Sequence, residues 1–182
     1  MSVTEDRALG VAEAIDRLDC GRVGYVPSNT VAPIIIRLEE ADRARGGPRR
    51  VFPVSREEEA VGIIGALPLT GSFGAIVMQD NGFGNALTAL TTFSLAYHLP
   101  LLVVANTRGG LGEYNSMIHA VSGGVPDLLA AVGIPTFRLD RRNSPDDWRE
   151  TVYEAGRHAR MTFRPVVVLM EFWDGVAGGR KA

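Results

Sequence analysis

Apolar and polar positions alternate along the chain with two different periods. Ala8, Val11, Ala12, Ile15 and Leu18 recur at helical spacing after a polar start, which predicts an amphipathic helix. A continuous apolar run at residues 23–26 then predicts a buried strand, stopped by a Pro-Ser-Asn turn. The same alternation predicts strands at residues 50–54, 75–78, 101–105, 136–139 and 165–171, and helices at residues 31–43, 56–67, 85–97, 126–132 and 145–160.

The predicted strands are apolar on both faces and are separated by helices. This pattern is typical of a parallel sheet that is covered on both sides. We therefore expect an α/β fold, a three-layer α/β/α arrangement with a six-stranded, mainly parallel sheet. One domain is expected over residues 1–174, followed by a flexible tail at residues 175–182. In such sheets ligands bind beyond the carboxyl ends of the strands, so the loops after residues 26, 54, 78 and 105 are the places to search.

Composition removes several classes of function. A formal net charge of −2 over 182 residues provides no general basic field, so neither nucleic acid nor a membrane is expected as a partner. Cys20 is the single cysteine, and the three histidines form no cluster at zinc spacing, so we expect no metal bound by this chain itself. The N-terminus is polar and acidic, unlike a signal peptide, and a cytoplasmic location is expected.

Three consecutive glutamates, at positions 57–59, stand where a helix is predicted to begin directly after a strand. Acidic residues in a first helical turn stabilise the helix dipole, and this explanation requires no function. Three in succession are nevertheless more than a helix start needs. One of them is therefore a candidate for chemistry.

The sequence Met78-Gln79-Asp80-Asn81-Gly82-Phe83-Gly84-Asn85 runs from a strand end through a glycine loop into a helix. It has neither the Lys-Ser/Thr of a P-loop nor the third glycine of a dinucleotide-binding site. Its amide side chains can hydrogen-bond a heterocycle or order a neighbouring loop. The alternative is a tight strand-to-helix turn without a ligand.

The longest polar segment, residues 106–124, follows a buried strand, and long ordered loops often carry function. A guanidinium at Arg108 can hold a carboxylate, sulfonate or phosphonate in two places. Tyr114, Asn115 and His119 can hydrogen-bond or transfer protons. The alternatives are an arginine that only holds the loop and a histidine with a structural role.

Taken together, the residues 56–62 (Arg-Glu-Glu-Glu-Ala-Val-Gly), 78–85 and 107–109 (Thr-Arg-Gly) resemble a known family. They are similar, in the same order and spacing, to the alpha subunit of sulfopyruvate decarboxylase and the N-terminal domain of phosphonopyruvate decarboxylase. The resemblance covers roughly residues 21–139. It implies the pyrimidine-binding domain of an enzyme that depends on thiamine diphosphate.

In that family a glutamate hydrogen-bonds N1′ of the aminopyrimidine ring and favours the imino tautomer that removes the C2 proton. The resemblance assigns this role to Glu57 and makes His119 a second catalytic candidate. It also predicts that the cofactor contacts Glu57, Gln79, Asn81, Gly82, Phe83 and Asn85, and that the substrate contacts Arg108, Tyr114 and Asn115. Asp80, Asn81 and Phe83 depart from the usual family residues and are expected to add a negative charge and a larger ring beside the site. Ser116 stands where relatives tend to have an acidic residue, which affects the role of His119.

The family holds the diphosphate and Mg2+ of its cofactor with a Gly-Asp-Gly segment and a downstream Asn, and Gly-Asp-Gly does not occur in this sequence. Asp174-Gly175 stands too near the end of the sequence to complete such a motif. The resemblance therefore implies a beta-type partner subunit that carries the diphosphate- and Mg2+-binding domain, in a heterotetramer or larger assembly.

The function expected from the resemblance is decarboxylation of a 3-substituted pyruvate, such as sulfopyruvate or phosphonopyruvate, only together with the partner. Two alternatives remain. The chain can be a structural or regulatory subunit that keeps the fold without the chemistry, or a Rossmann-like module that binds a nucleotide.

Overall fold

A six-stranded sheet forms the centre of the molecule. The computed structural model describes residues 3–110 and 113–172. Every strand pairing within these residues is parallel, where the sequence predicts a mainly parallel sheet, and the strand order is β2-β1-β3-β4-β6-β5. The strands are β1 (Arg22–Tyr25), β2 (Val51–Pro53), β3 (Gly74–Gln79), β4 (Leu101–Asn106), β5 (Thr136–Leu139) and β6 (Pro165–Met170).

Helices cover both faces of this sheet. They are α1 (Val3–Arg17), α2 (Ala32–Arg45), α3 (Glu57–Gly65), α4 (Phe83–Ala89), α5 (Ser116–Ser122), α6 (Val125–Ala131) and α7 (Pro145–Thr162). Short 3-10 turns stand at Leu67–Thr70 and Asp80–Gly82, and α4 continues into a π-helical segment, Leu90–Leu95. The predicted three-layer α/β/α fold is confirmed.

The face on which each helix lies follows from the right-handed rule for parallel crossovers. The step from β1 to β2 moves toward one edge of the sheet, whereas the steps from β2 through β5 move toward the other edge. Helix α2 must therefore lie on the opposite face from α3, α4 and α6, and the return from β5 to β6 puts α7 back on the face of α2. The packing agrees, because α1, α2 and α7 share one apolar cluster while α3, α4 and α6 share another.

The central strands divide their side chains between these two clusters. In β4, Leu102 and Val104 pack under α1 and α7, while Leu101, Val103 and Ala105 pack under α3 and α4. Side chains alternate between the faces of a strand, and here both faces are buried. This is why the strands appear in the sequence as uninterrupted apolar runs.

Two predicted elements differ from the structure. The segment at residues 106–124, expected to be irregular throughout, contains α5, whose N-terminus is capped where the Asn115 Oδ1 accepts a hydrogen bond from the Met117 N–H at 3.1 Å. A seven-residue helix is too short to display a clear apolar period. The helix predicted at residues 85–97 begins earlier, at Phe83, and widens into the π-helical segment after Ala89.

The remaining predictions about the ends of the chain are not tested. The boundary at residue 174 and the tail at residues 175–182 lie outside the described residues. Within the described part of the chain, no helix combines the length and apolar character needed to cross a bilayer.

A capping box begins α7, as Ser144 followed three residues later by Asp147 predicts from the sequence. The Asp147 N–H donates to the Ser144 Oγ at 3.1 Å, and the Ser144 N–H donates to the Asp147 Oδ2 at 2.7 Å. We expect Ser144→Ala to lower the free energy of unfolding by about 1 kcal/mol, because one N–H at the helix start loses its acceptor. Urea denaturation measures this change. An unchanged midpoint would mean that solvent replaces the hydroxyl without loss.

Candidate functional site

The candidate site lies at the carboxyl edge of the sheet, between β1 and β3. The chain leaves β1 toward α2 on one face of the sheet and leaves β3 toward α4 on the other face. The connections that follow these two neighbouring strands therefore separate and leave a crevice between them. A crevice at such a point is the usual ligand site of open α/β sheets. Here the Ser28 Oγ, after β1, donates a hydrogen bond of 2.9 Å to the Gln79 Oε1 at the end of β3. Ser28 is not among the candidates that the sequence predicts.

Glu57, the first residue of α3, faces the glycine loop that follows β3. A Cβ atom on Gly82 would stand 2.3 Å from the Glu57 Cγ and 2.5 Å from its Oε1, so only glycine leaves room for this carboxylate. The Asn85 Nδ2 donates to the Glu57 Oε2 at 3.0 Å. Two sequence motifs that are far apart along the chain therefore meet at one carboxylate.

The three consecutive glutamates have different surroundings. Glu58 accepts a hydrogen bond from the Arg56 Nε at 2.7 Å, and its pKa is lowered by a backbone hydrogen bond at the helix start and by Arg56. Its second oxygen is shielded from solvent and has no partner among the described residues. Glu59 accepts from the Ser55 N–H at 3.0 Å and so caps the helix.

Glu57 differs from both neighbours. The Asn85 amide is its hydrogen-bond partner, and no described cation pairs with it. Its side chain is half-buried, and its Oε1 accepts no hydrogen bond from any described residue. Glu58 pairs with Arg56 and Glu59 caps its own helix, whereas Glu57 is held by a side chain of the glycine-loop helix. Glu57 has an oxygen available for a ligand.

The side chains of Asp80 and Phe83, which were expected to add a negative charge and a larger ring beside the site, are not exposed there. The Phe83 ring is fully buried in the apolar cluster under α3, and the Asp80 carboxylate is also fully buried. Any contact from Phe83 to a cofactor is therefore left to its backbone. Asn81 is half-buried and its side chain makes no hydrogen bond within the described residues.

Asp80 instead joins the two candidate loops. Its carboxylate accepts hydrogen bonds from the Thr107 Oγ1 at 2.7 Å and the Ser122 Oγ at 2.8 Å, and from the Arg108 N–H at 3.4 Å. A buried carboxylate is costly unless its oxygens are hydrogen-bonded, and these donors supply that compensation. The glycine loop that meets Glu57 is thereby fixed to the loop after β4 and to α5.

The Nε and Nη2 donors of Arg108 are already paired within the chain, whereas the sequence led us to expect them to bind a substrate. Its Nε and Nη2 each donate to a different oxygen of Glu113 at 2.8 Å, and the Glu113 side chain is fully buried while that of Arg108 is 14% exposed. This bidentate pair connects two positions of the loop after β4 that are five residues apart. The structure favours the alternative in which Arg108 holds the loop.

Glu113 is a residue that the sequence reasoning misses. Burial raises its pKa, but hydrogen bonds from the Asn115 N–H, from Arg108 and from the Tyr114 N–H outweigh that effect, so that the net pKa is lowered. The carboxylate is therefore ionised in the interior and is a fixed part of the loop. Its one signal in the sequence is an acidic residue that follows an arginine in a glycine-rich loop.

The other candidates of this loop have distinct positions. Tyr114 is 81% exposed, and the Asn115 side chain caps α5. The His119 Nε2 lies 2.8 Å from the Glu113 carbonyl oxygen. Because a carbonyl only accepts, Nε2 must carry the proton, which leaves Nδ1 as an acceptor when the ring is neutral. Glu57 makes no hydrogen bond or ion pair with Arg108, Tyr114 or His119.

Gly82 offers a test of this geometry. We expect Gly82→Ala to leave the fold intact and to lower catalytic activity by about tenfold or more, because the new methyl group must displace the Glu57 carboxylate. Gly84→Ala is the matched control, since a Cβ there meets no atom within 4 Å. Equal activities of the two variants would show that the position of Glu57 is not important.

Comparison with known proteins identifies the relatives of this chain. No protein-family model matches it. The alpha subunit of sulfopyruvate decarboxylase from Methanothermobacter thermautotrophicus is 32% identical over 123 residues, which span 66% of this chain and 73% of that protein. The corresponding subunit from Methanococcus maripaludis is 30% identical over 125 residues, or 68% of this chain and 73% of that protein.

A second group of relatives is longer. Phosphonopyruvate decarboxylase from Streptomyces hygroscopicus is 31% identical over 103 residues, which are 57% of this chain but 24% of that protein. The predicted resemblance to both kinds of protein is confirmed. With about 30% identity over two thirds of this chain and nearly three quarters of the shorter relatives, the chain belongs to the family of sulfopyruvate decarboxylase alpha subunits.

Proposed function

We propose that this chain is the alpha subunit of a heteromeric, thiamine-diphosphate-dependent decarboxylase that acts on a 3-substituted pyruvate such as sulfopyruvate or phosphonopyruvate. The names of the relatives support the decarboxylase activity and the existence of a partner subunit. Thiamine diphosphate, when bound, supplies the electron sink that loss of carbon dioxide from a 2-oxoacid requires.

The observation that carries the proposal is the position of the Glu57 carboxylate. Asn85 fixes one oxygen, Gly82 provides the space, and the other oxygen accepts no hydrogen bond from a described residue. A carboxyl group held in this way can hold or move a proton at Oε1, which is the property needed beside a basic ring nitrogen. The Glu57 carboxyl group therefore fits the aminopyrimidine end of the cofactor.

The loop after β4 is proposed to form the substrate side of the site. Arg108 shapes this loop through its pair with Glu113, and Asn115 does so by capping α5. The groups proposed to contact a substrate are therefore the exposed Tyr114 side chain and the Nδ1 atom of His119. Asp80 links this loop to the loop that positions Glu57. Substrate and cofactor would thus be aligned by one buried carboxylate.

The diphosphate and Mg2+ are proposed to be held by a beta-type subunit. The metal needs oxygen ligands that leave room for phosphate, and the described residues contain no group of three or more candidate ligands. The proposed assembly is a heterotetramer or larger.

The proposal is tested with this chain and a co-expressed subunit that carries Gly-Asp-Gly. Carbon dioxide release is measured from sulfopyruvate, phosphonopyruvate and pyruvate, with and without thiamine diphosphate and Mg2+. We expect release from a 3-substituted pyruvate by the pair with cofactor, and no turnover by this chain alone. Activity of the chain alone would contradict the shared site, and an inactive but well-assembled pair would favour a structural subunit.

A further inference from the structure

A second concave region lies at the amino edge of the sheet, at the end opposite Glu57. It has a volume of about 820 Å³ and is formed where β1, β3 and β4 begin and where α7 ends. Arg22, Arg50, Arg160 and His98 contribute to its wall, together with the rings of Phe73 and Phe163. None of these residues has a role in the proposed decarboxylase site.

The three arginines of this cavity are anchored on one turn. The Arg22 Nη1 donates to the Gly21 carbonyl at 2.8 Å, the Arg160 Nη2 donates to the Leu18 carbonyl at 2.6 Å, and Arg50 donates to the Cys20 carbonyl. A guanidinium has five N–H donors, so each arginine keeps most of its donors after this contact. The turn between α1 and β1 thus holds three cations in place.

These cations have little compensation from acidic groups. Neither Arg22 nor Arg160 pairs with any described carboxylate, and Arg50 reaches only Asp19, at 3.4 Å, whose side chain is 94% exposed. The whole sequence nevertheless has a formal net charge of −2. A local excess of positive charge in a concave region of an acidic protein attracts an anion.

The rest of the wall is mixed, with Asp19 and Ser72 beside apolar residues that include Phe73 and Phe163. The Arg160 guanidinium carbon lies 4.4 Å from the centroid of the Phe73 ring, which orients the cation over an aromatic face. Phe163 is 61% exposed at the end of α7. An aromatic ligand body could cover these rings while its charged group meets the guanidinium groups.

We infer that this cavity is a binding site for a small organic phosphate, with the phosphate held by Arg22, Arg50 and Arg160 and an apolar or aromatic body packed against Phe163. Phosphate oxygens accept hydrogen bonds from several guanidinium groups at once, and such charge-assisted bonds are among the stronger polar contacts of proteins. The site is separate from the catalytic edge. The inference therefore stands independently of the proposed function.

The test uses the purified 182-residue chain and three probes, namely phenyl phosphate, inorganic phosphate and benzyl alcohol, in titration calorimetry. We expect saturable binding of one phenyl phosphate per chain, weaker binding of inorganic phosphate and none of the neutral alcohol. Arg22→Gln and Arg160→Gln are each expected to weaken phenyl phosphate binding about tenfold, because each removes a charged donor. Arg157→Gln, on the same helix but outside the cavity, should leave the affinity unchanged.

Arg22→Gln is the decisive variant, because Arg22 is exposed and its described bond is to the neighbouring carbonyl, so that its loss should not unfold the chain. Circular dichroism checks the fold of each variant. Absence of saturable phenyl phosphate binding by the wild-type chain would overturn the inference. So would equal affinities of the wild-type chain and a folded Arg22→Gln variant, or an equal loss in Arg157→Gln.

Discussion

Replacing Glu57 by glutamine in the assembled enzyme is expected to lower the turnover number by about 10²–10⁴-fold, the usual contribution of a positioned proton-transfer group. The amide of the introduced glutamine has nearly the same shape, fits over Gly82 and can still accept a hydrogen bond from Asn85. It cannot hold or release a proton at the oxygen that no described residue binds. The loss therefore follows from proton transfer, while folding and subunit assembly are preserved.

Glu59→Gln is the matched control for this experiment. Glu59 accepts a hydrogen bond from the Ser55 N–H at the start of the same helix, and a glutamine side chain can also accept that bond. Near-normal turnover is expected from Glu59→Gln. If Glu59→Gln were inactive while Glu57→Gln kept its activity, the catalytic role would move to the other carboxylate.

The second large effect is expected at the pair formed by Arg108 and Glu113. Arg108→Ala should lower the free energy of unfolding by about 3 kcal/mol, because a fully buried carboxylate loses its cation and keeps only the N–H groups of Tyr114 and Asn115. Urea denaturation measures this loss. The double variant Arg108→Ala/Glu113→Ala should be less destabilised than Arg108→Ala alone, since it leaves no unpaired charge.

Arg142→Ala serves as the control for this pair. Arg142 also binds a carboxylate in two places, and this pairing holds the pKa of Asp140 at about 2, but the arginine side chain is 85% exposed. Water replaces an exposed partner at little cost, so only a small change in stability is expected. Equal losses in Arg108→Ala and Arg142→Ala would mean that burial does not decide the effect.

The Arg108–Glu113 pair also gives the stability a pH dependence of known sign. The pKa of Glu113 is lower in the folded than in the unfolded chain, so the pair stabilises the fold above the ordinary pKa of a glutamate. This contribution is lost as the pH falls through the lowered pKa. Arg108→Ala should flatten this part of the acid-unfolding curve, and an unchanged curve would contradict the assignment.

Much of this arrangement could be predicted from the sequence, because it depends on local patterns. The strand at residues 136–139 and the capping box at Ser144 are confirmed as predicted. Parallel strands bring their carboxyl ends to one edge of a sheet, so the order of the elements was enough to place the loops after residues 54 and 78 at the same edge. The contact of Glu57 with Gly82 and Asn85 agrees with this placement.

Long-range polar contacts could not be predicted in the same way. The sequence predicts Asp80 as a charge beside the site, but its carboxylate reaches Ser122, 42 positions along the chain, in the interior. The pairing of Arg108 with Glu113 depends on how a glycine-rich loop folds back, and no period in the sequence encodes that path. A charged residue in a loop has the same appearance in the sequence whether it binds a substrate or a neighbour.

The most direct test of the central claim is the rate at which the C2 proton of thiamine diphosphate exchanges with deuterium, measured by NMR in the assembled enzyme without substrate. If Glu57 activates the aminopyrimidine, exchange should be fast in the wild-type complex and in Glu59→Gln, and slower by about 10²-fold or more in Glu57→Gln. Equal exchange rates in the wild-type and Glu57→Gln complexes, with the cofactor bound in both, would contradict the role assigned to Glu57.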